Sequence, residues 1–153
     1  MDPEIAKIYG NKVRIRVCGL CWDGDKLLMV RHKLGNQDFW APPGGGLEFG
    51  ESIEFTLKRE FLEETGLQID AGKFLFGCEF FKDPLHAIEL YFEVNKASGD
   101  LKSGYDPEIQ LIENVQFLSA EEIQHIPDEA LHGIFRKFKD VNTLRRLNGF
   151  YSI

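Results

Sequence analysis

The amino-acid sequence predicts one α+β domain in which helices pack on a mixed β-sheet. Its 153 residues are a typical length for a single domain and are enough to bury a hydrophobic core. Stretches of strand composition alternate with stretches of helical composition. Because the chain contains neither internal repeats nor a linker, we treat residues 1–153 as a single domain.

Predicted strands dominate the first part of the chain. Residues 12–22 and 26–32 are β-rich and flank Asp23-Gly24-Asp25, a turn signal that predicts a hairpin. A polar loop is expected over residues 33–38. Residues 39–46 contain two prolines and three glycines, and this composition predicts neither strand nor helix.

A helix is predicted over residues 52–65, which contain neither Gly nor Pro, and Gly66 follows in the position typical of a helix end. Residues 72–81 and 86–96 predict a second pair of strands, and a loop is expected over residues 97–107.

The last part of the chain predicts a short strand and two helices. The strand is expected at residues 115–118, and residues 119–122 form a capping-box pattern that starts a short helix. Asp128 is expected to cap the last helix. Its apolar positions follow the spacing i, i+3, i+4, i+7: Leu131, Ile134, Phe135 and Phe138.

The charge balance restricts the class of partner. A net charge of −7 argues against a protein that holds duplex nucleic acid on a broad basic face. It does not exclude a small anionic substrate, since a bound metal ion can invert the local field. No apolar run approaches the length of a membrane span, and no signal peptide is visible, so we expect no membrane partner and a cytoplasmic protein.

The spacing of Cys18 and Cys21 resembles a metal or redox motif. Residues three apart on a strand point to opposite faces, so these two thiols are not expected to chelate one ion. Since no second C-x-x-C occurs, we interpret Cys18, Cys21 and Cys78 as reduced structural residues.

The most informative stretch is residues 45–67, where six acids and two basic residues give a net charge of −4. Glu60, Glu63 and Glu64 have the spacing i, i+3, i+4 and therefore share one helical face. Such crowding is locally unfavourable, and a hard divalent cation is its natural compensation. The alternative is a solvated acidic face paired with Lys58 and Arg59.

This stretch resembles the Nudix box of the MutT-like Nudix hydrolases, G-x5-E-x7-R-E-U-x-E-E-x-G-U, where U is a bulky aliphatic residue. Phe61 stands at the first U, where Ile, Leu or Val is usual. The other constrained positions match without a gap: Gly45, Glu51, Arg59, Glu60, Glu63, Glu64, Gly66 and Leu67.

The resemblance implies an α/β/α sandwich with the box as a loop–helix–loop. It also implies hydrolysis of a diphosphate bond in a nucleoside diphosphate linked to another moiety. By position, Glu63 and Glu64 would be metal ligands, and Glu60 a further ligand or the general base. The backbone carbonyl of Gly44 is a further candidate ligand by the same analogy.

The resemblance also implies two residues that support the glutamates and the loop, a metal cofactor and one additional acid. Arg59 would hold the glutamates by charge-assisted hydrogen bonds, and Glu51 would fix the loop. Mg²⁺ is the expected cofactor, with Mn²⁺ as a possible substitute. Family members often use one more acid from a later loop, for which the candidates are Asp106, Glu108 and Glu113. We favour Glu108 because it is expected in an irregular loop.

Substrate-binding candidates are less specific. Gly45 and Gly46 would let the backbone approach the phosphates closely. Trp40, like the preceding Phe39, could stack on a base or fill the core. Four residues of the early strands could bind phosphate or the linked moiety: Arg14, Arg16, Arg31 and His32. The alternative for each of them is a surface position.

The sequence thus predicts an Mg²⁺-dependent hydrolase of a small nucleotide-type diphosphate. Alternatives are a sanitising nucleoside-triphosphate pyrophosphohydrolase, a sugar-nucleotide hydrolase, and a non-catalytic nucleotide- or RNA-binding module. A structural Ca²⁺ site is disfavoured because the acids lie on a helix. A homodimer is compatible with the base rates of soluble proteins, but the sequence shows no dedicated interface.

Overall fold

The computed structural model describes residues 3–102 and 111–153. Four α-helices and eight strands make up the described part of the chain. In order they are α1 (Pro3–Tyr9), β1 (Lys12–Asp23), β2 (Lys26–Leu34), β3 (Gln37–Ala41), β4 (Gly44–Gly46), α2 (Ile53–Thr65), β5 (Gln68–Lys82), β6 (Leu85–Ser98), β7 (Leu111–Leu118), α3 (Ala120–Gln124), α4 (Gly133–Lys137) and β8 (Phe150–Ser152).

The strands form a mixed sheet, as the sequence predicts. Strand β1 runs parallel to β6, pairing residues 12–21 with 85–94, and antiparallel to the short β4. Strand β5 is antiparallel to β6 and parallel to β8. A second, antiparallel group, β7–β2–β3, connects to β1 through the β1–β2 hairpin at Asp23 and Lys26.

Helices cover the strands from two sides. On one side, Leu57 and Phe61 of α2 pack against Val17 and Cys21 of β1. The other cluster includes Cys18 of β1 and buried residues of the C-terminal helical segments, among them Ile123, Ile134 and Leu144. This layering is the α/β/α arrangement expected from the sequence resemblance.

The two neighbouring cysteines confirm the strand interpretation of the C-x-x-C spacing. Cys18 belongs to one core cluster and Cys21 to the other, so their thiols face opposite sides of β1. Cys78 is also buried, and all three thiols are free.

The stretch of prolines and glycines differs from its prediction, because residues 37–46 contain two strands. Pro42 and Pro43 lie between β3 and β4, where their missing N–H groups interrupt no ladder. The glycines of β4 pair with residues 16–18 of β1, so tertiary pairing overrides their low strand propensity. The predicted polar loop shrinks to a turn in which Gly35 has a φ of 62°.

The last helix also begins later than predicted. Asp128 starts a 3₁₀ turn, Asp128–Ala130, rather than the helix. Helix α4 is capped instead by His132, whose Nδ1 accepts a hydrogen bond from the Ile134 N–H at 3.1 Å. Imidazole is an uncommon cap, which explains why the Asp was favoured from sequence.

The predicted capping box at Ser119 and Glu122 is confirmed. Strand β8 was not predicted, since it is three residues long and gains its pairing from β5. Among the described helices, none is both long and apolar enough to cross a bilayer.

Candidate active site

The loop before α2 is held by its own polar side chains. Ser52 caps the helix by accepting a hydrogen bond from the Phe55 N–H at 3.1 Å. The Glu51 carboxylate accepts from the Glu48 N–H and from the Thr56 hydroxyl, each at 3.1 Å. At the other end, a left-handed Gly66 with a φ of 76° terminates the helix, as predicted. These contacts form the loop–helix–loop implied by the box.

Arg59 connects three of the box glutamates. Its Nε and Nη2 donate to the two Glu51 oxygens at 3.0 Å each, a bidentate pair across eight residues. Its Nη1 lies 2.9 Å from Glu60 Oε1 and 3.4 Å from Glu63 Oε2. The hydrogen bonds from Arg59 lower the pKa of Glu51 below its usual value. These are the contacts that the resemblance implies for Arg59.

The three carboxylates of the shared helical face are buried to different extents. Glu64 is 2% exposed and Glu60 is 8% exposed, whereas Glu63 is half-buried. Burial, together with the negative charge of Glu63, raises the pKa of Glu60, although Arg59 opposes this rise. The burial of Glu60 and Glu64 therefore argues against the alternative of a fully solvated acidic face.

Within residues 3–102 and 111–153, no three His, Cys, Asp or Glu side chains already form a metal cage. Instead, Arg59 Nη1 contacts oxygens of both Glu60 and Glu63. The donor set fits a hard cation, since it consists of carboxylate oxygens, and Gly44 lines the same cavity as Glu60.

Glycines bring β4 into close contact with its surroundings. A Cβ atom at Gly45 would overlap the carboxyl group of Glu60, and one at Gly44 would overlap the Val17 carbonyl oxygen and lie 2.7 Å from the Cys18 Cα. The backbone at Gly45 therefore lies directly against the acidic helix face, and the backbone at Gly44 lies against β1.

A cavity of about 340 Å³ opens beside Glu60, Gly44 and Gly45. Aromatic rings and cationic side chains from distant parts of the chain form much of its wall: Tyr9, Phe39, Phe80, Arg14, Arg16, Lys82 and Arg136. The cavity therefore offers apolar surface for a ring system and positive charge for an anion, next to the glutamates of the box.

A buried polar group at this cavity was not predicted from the sequence. Glu89 of β6, 2% exposed, lies 3.4 Å from Arg16 Nη1 through Oε2 and 2.8 Å from His132 Nε2 through Oε1. Burial raises the pKa of Glu89, but His132 and Arg16 outweigh it and lower the pKa to about 2. The sequence does contain a signal for this residue. Ala87, Glu89 and Tyr91 alternate along β6 and face the interior, so a carboxylate stands between two buried residues of the same strand face.

Three of the predicted substrate-binding residues, Arg31, Trp40 and Gly46, lie outside this cavity. Arg31 forms ion pairs with Glu113 at 3.6 Å and Asp38 at 3.9 Å. Its guanidinium carbon is 5.8 Å from the centre of the Trp40 ring, which packs against the core. Gly46 lines a neighbouring groove with Glu48 and Glu51, whereas Phe39 does line the cavity.

His32 is buried rather than at the surface, and burial, assisted by the charge of Arg16, lowers its pKa to about 4. Of the candidates for the additional acid, Glu113 lies on β7 and pairs with Arg31. Asp106 and Glu108 lie outside the described residues.

Comparison with known proteins identifies the family. The sequence profile of the NUDIX domain matches residues 12–138, which is most of the chain. This chain belongs to the Nudix family. The match includes the box together with β1 to β7 and helices α2 to α4.

Relatives and solved structures agree with this assignment. An ADP-ribose pyrophosphatase of Methanocaldococcus jannaschii is 37% identical over 98 residues, 60% of this chain and 56% of the relative. An NAD-capped RNA hydrolase NudC of Pseudomonas aeruginosa is 28% identical over 80% of this chain and 41% of its own. This chain thus spans about half the length of these relatives.

Among solved structures, a Nudix hydrolase from Nitrosomonas europaea superimposes with a TM-score of 0.71 at 23% identity, covering 90% of this chain and 93% of that one. This likeness shows the α+β fold of the family.

Proposed function

We propose that this Nudix protein is a divalent-metal-dependent hydrolase that cleaves the diphosphate bond of a nucleoside diphosphate linked to another moiety. The observation that carries the proposal is the position of Glu60. Its carboxylate belongs to the acidic helix face, contacts Arg59 at 2.9 Å, and forms part of the wall of the 340 Å³ cavity. A substrate ring in this cavity would bring its phosphates to the glutamates.

Mg²⁺ or Mn²⁺ would be held by Glu63 and Glu64 with the carbonyl of Gly44, and Glu60 would be either a further ligand or the general base. When bound, such an ion neutralises phosphate charge and lowers the pKa of a coordinated water. The crowding of three carboxylates on one helical face supports this proposal, because a protein that only binds nucleotides has no need for it.

The chain's own residues have separable roles in this proposal. Glu60, whose pKa is raised by burial, is suited to accept the proton of the attacking water. Arg59 fixes the carboxylates, and Glu51 ties the loop to the first turn of α2. The missing side chains of Gly44 and Gly45 let β4 lie directly against β1 and Glu60, and both glycines border the cavity in which the phosphates would bind.

The relatives support a substrate in which a diphosphate links a nucleoside to a second group. The matched proteins from M. jannaschii and P. aeruginosa are an ADP-ribose pyrophosphatase and an NAD-capped RNA hydrolase. ADP-ribose and NAD both contain a diphosphate that links a nucleoside to a second group. The net charge of −7 also favours a small substrate over a nucleic-acid duplex.

A substrate panel tests the proposal. ADP-ribose, NADH, a diadenosine polyphosphate, a nucleotide sugar and nucleoside triphosphates are incubated with the protein in Mg²⁺, in Mn²⁺ and in EDTA, and the products are separated by chromatography. We expect metal-dependent cleavage of at least one linked diphosphate. Exclusive cleavage of triphosphates would favour a sanitising enzyme, and no cleavage of any compound would favour a binding module.

A further inference from the structure

Arg16 presents hydrogen-bond donors that its neighbours leave unused. Its only ion pair within the described ranges, 3–102 and 111–153, joins Nη1 to Glu89 at 3.4 Å. Its buried Nε has no hydrogen-bond partner among the described residues, and 28% of the side chain is exposed. Arg16 therefore combines an incompletely paired guanidinium with side-chain surface that is exposed at the cavity, where a ligand can reach it.

The position of Arg16 fits an anion at the glutamate site. Arg16 pairs with Gly46 across the β1–β4 ladder and shares the cavity wall with Gly44, Gly45 and Glu60. Arg59, by contrast, already donates to three carboxylates. Arg16 is therefore a cation that lines the cavity beside Glu60 and has a single carboxylate partner among the described residues.

A buried pair holds this cation in place. His132 accepts from the Ile134 N–H through Nδ1, so its Nε2 carries the hydrogen that is donated to Glu89 at 2.8 Å. The Cys18 thiol donates to the other oxygen of Glu89 at 3.8 Å. Hydrogen bonds from His132 and Cys18 thus fix the Glu89 carboxylate. Its negative charge attracts the Arg16 guanidinium and restrains the position of that group.

We propose that Arg16 binds a phosphate group of the substrate diphosphate and that Glu89 and His132 are its positioning residues. The planar guanidinium matches phosphate oxygens with two parallel donors, which a lysine cannot reproduce. This inference rests on the proposed function, because it assigns a further residue to the same site. The competing explanation is that Arg16 only neutralises the buried Glu89.

The test measures the affinity for pyrophosphate by isothermal titration calorimetry, with magnesium pyrophosphate as the probe, in five proteins. They are the unsubstituted chain, Arg16→Gln, Arg16→Lys, the double variant Arg16→Gln/Glu89→Gln, and the control Arg146→Gln. Arg146 is exposed on a 3₁₀ turn and does not line the cavity, so its substitution changes the charge equally.

We expect Arg16→Gln to weaken pyrophosphate binding by about ten- to a hundred-fold, the range for a hydrogen bond to a charged group. Arg16→Lys should recover part of this loss, and Arg146→Gln should bind like the unsubstituted chain. The double variant should regain thermal stability without regaining affinity, since the phosphate contact is still missing.

Three results would overturn the inference: unchanged affinity in Arg16→Gln, recovery of affinity in the double variant, or no pyrophosphate binding by the unsubstituted chain. The substrate panel decides the proposed function separately. Metal-dependent cleavage together with unchanged affinity in Arg16→Gln would refute the role of Arg16 alone. Arg16-dependent binding without cleavage of any compound would support that role and refute the hydrolase.

Discussion

The Glu60 carboxylate lies so close to the α-carbon of Gly45 that a β-carbon there would overlap it. Gly45 is the first position of the box and Glu60 belongs to its helix, fifteen residues later in the chain. The contact depends on β4, which holds Gly45 opposite Val17 of β1. The first glycine of the box therefore provides space for a carboxylate of the helix.

Gly45→Ala should accordingly reduce hydrolysis while the fold is retained. The added methyl group must displace either Glu60 or the β4 backbone, and a displacement of about 1 Å in an active site can cost roughly a hundred-fold in rate. The measurement is kcat/KM on the best substrate of the panel, with circular dichroism to verify folding. A variant that is folded and fully active would show that the contact between Gly45 and Glu60 is not needed for turnover.

Glu64→Gln should lower turnover by orders of magnitude. The substitution preserves the size of a side chain that is 2% exposed but removes one negative charge from the proposed metal site. The matched control is Glu54→Gln on the same helix, where an exposed carboxylate pairs with Lys58 at 2.9 Å. The control should retain normal activity. Near-normal hydrolysis by a folded Glu64→Gln protein would contradict the assignment of a catalytic metal.

Arg59→Lys should raise the Mg²⁺ concentration required for half-maximal activity. A lysine cannot contact Glu51 with two nitrogens and also reach Glu60 and Glu63, so the proposed ligands lose their orientation. Loss of such supporting contacts typically costs about 10- to 100-fold in metal affinity or activity. Titrations of activity with Mg²⁺ measure the shift, and Lys58→Arg is the control on the adjacent exposed position. An unchanged Mg²⁺ requirement in Arg59→Lys would argue against this role.

The stability contributed by Glu89 should depend on pH. Arg16 and Cys18 face this carboxylate from β1, His132 from the start of α4, and Tyr91 from β6 itself. Because the folded-state pKa is lowered from 4.5 to about 2, the contribution is fully present above pH 4.5 and is lost as the pH falls through 2.

Urea unfolding of the unsubstituted chain and of Glu89→Gln between pH 3 and pH 7 measures this dependence. The difference in free energy of unfolding should stay constant above pH 4.5 and shrink below it, with a limiting slope of about 1.4 kcal/mol per pH unit for one proton. A difference that is independent of pH across this range would contradict the ionised state of Glu89.

Local signals made much of the fold predictable from the sequence. The helix of the box was predicted over residues 52–65, and the structure has it at Ile53–Thr65, with Ser52 as its N-cap and Gly66 at its end. The opposite orientations of Cys18 and Cys21 follow from strand periodicity alone. Strand β4 was not predictable in this way, because glycines acquire strand conformation only by pairing with β1.

The same distinction applies to the candidate site. The spacing of Glu60, Glu63 and Glu64 on one face is a property of the helix, so sequence reasoning found it. The contact between Glu89 and His132 joins residues 43 positions apart, and Arg16 comes from a third element. No local pattern encodes such a contact, so the sequence named Arg16 as one phosphate-binding candidate among four, with a surface position as the alternative.

The unusual Phe61 of the box also has a tertiary explanation, at Gly19. A β-carbon built at Gly19 would lie 2.6 Å from the Phe61 ring and 2.6 Å from a methyl group of Val94. Phe61 is fully buried, so its ring occupies the space that a side chain at residue 19 would otherwise fill. The larger residue in the box and the glycine on β1 are therefore complementary.

Gly19→Ala should destabilise the protein by about 1–3 kcal/mol, the usual cost of overpacking a core. Phe61→Leu should also destabilise it, because the smaller side chain leaves unfilled space. In the double variant the new methyl group occupies part of that space, so the two effects should fall short of additivity by about 0.5–3 kcal/mol. Urea unfolding of the four proteins gives this coupling energy.

The control is Gly133→Ala, where the nearest atoms lie 3.4 Å from an added β-carbon and little change is expected. Strict additivity of the two substitutions would show that Gly19 and Phe61 are not energetically coupled.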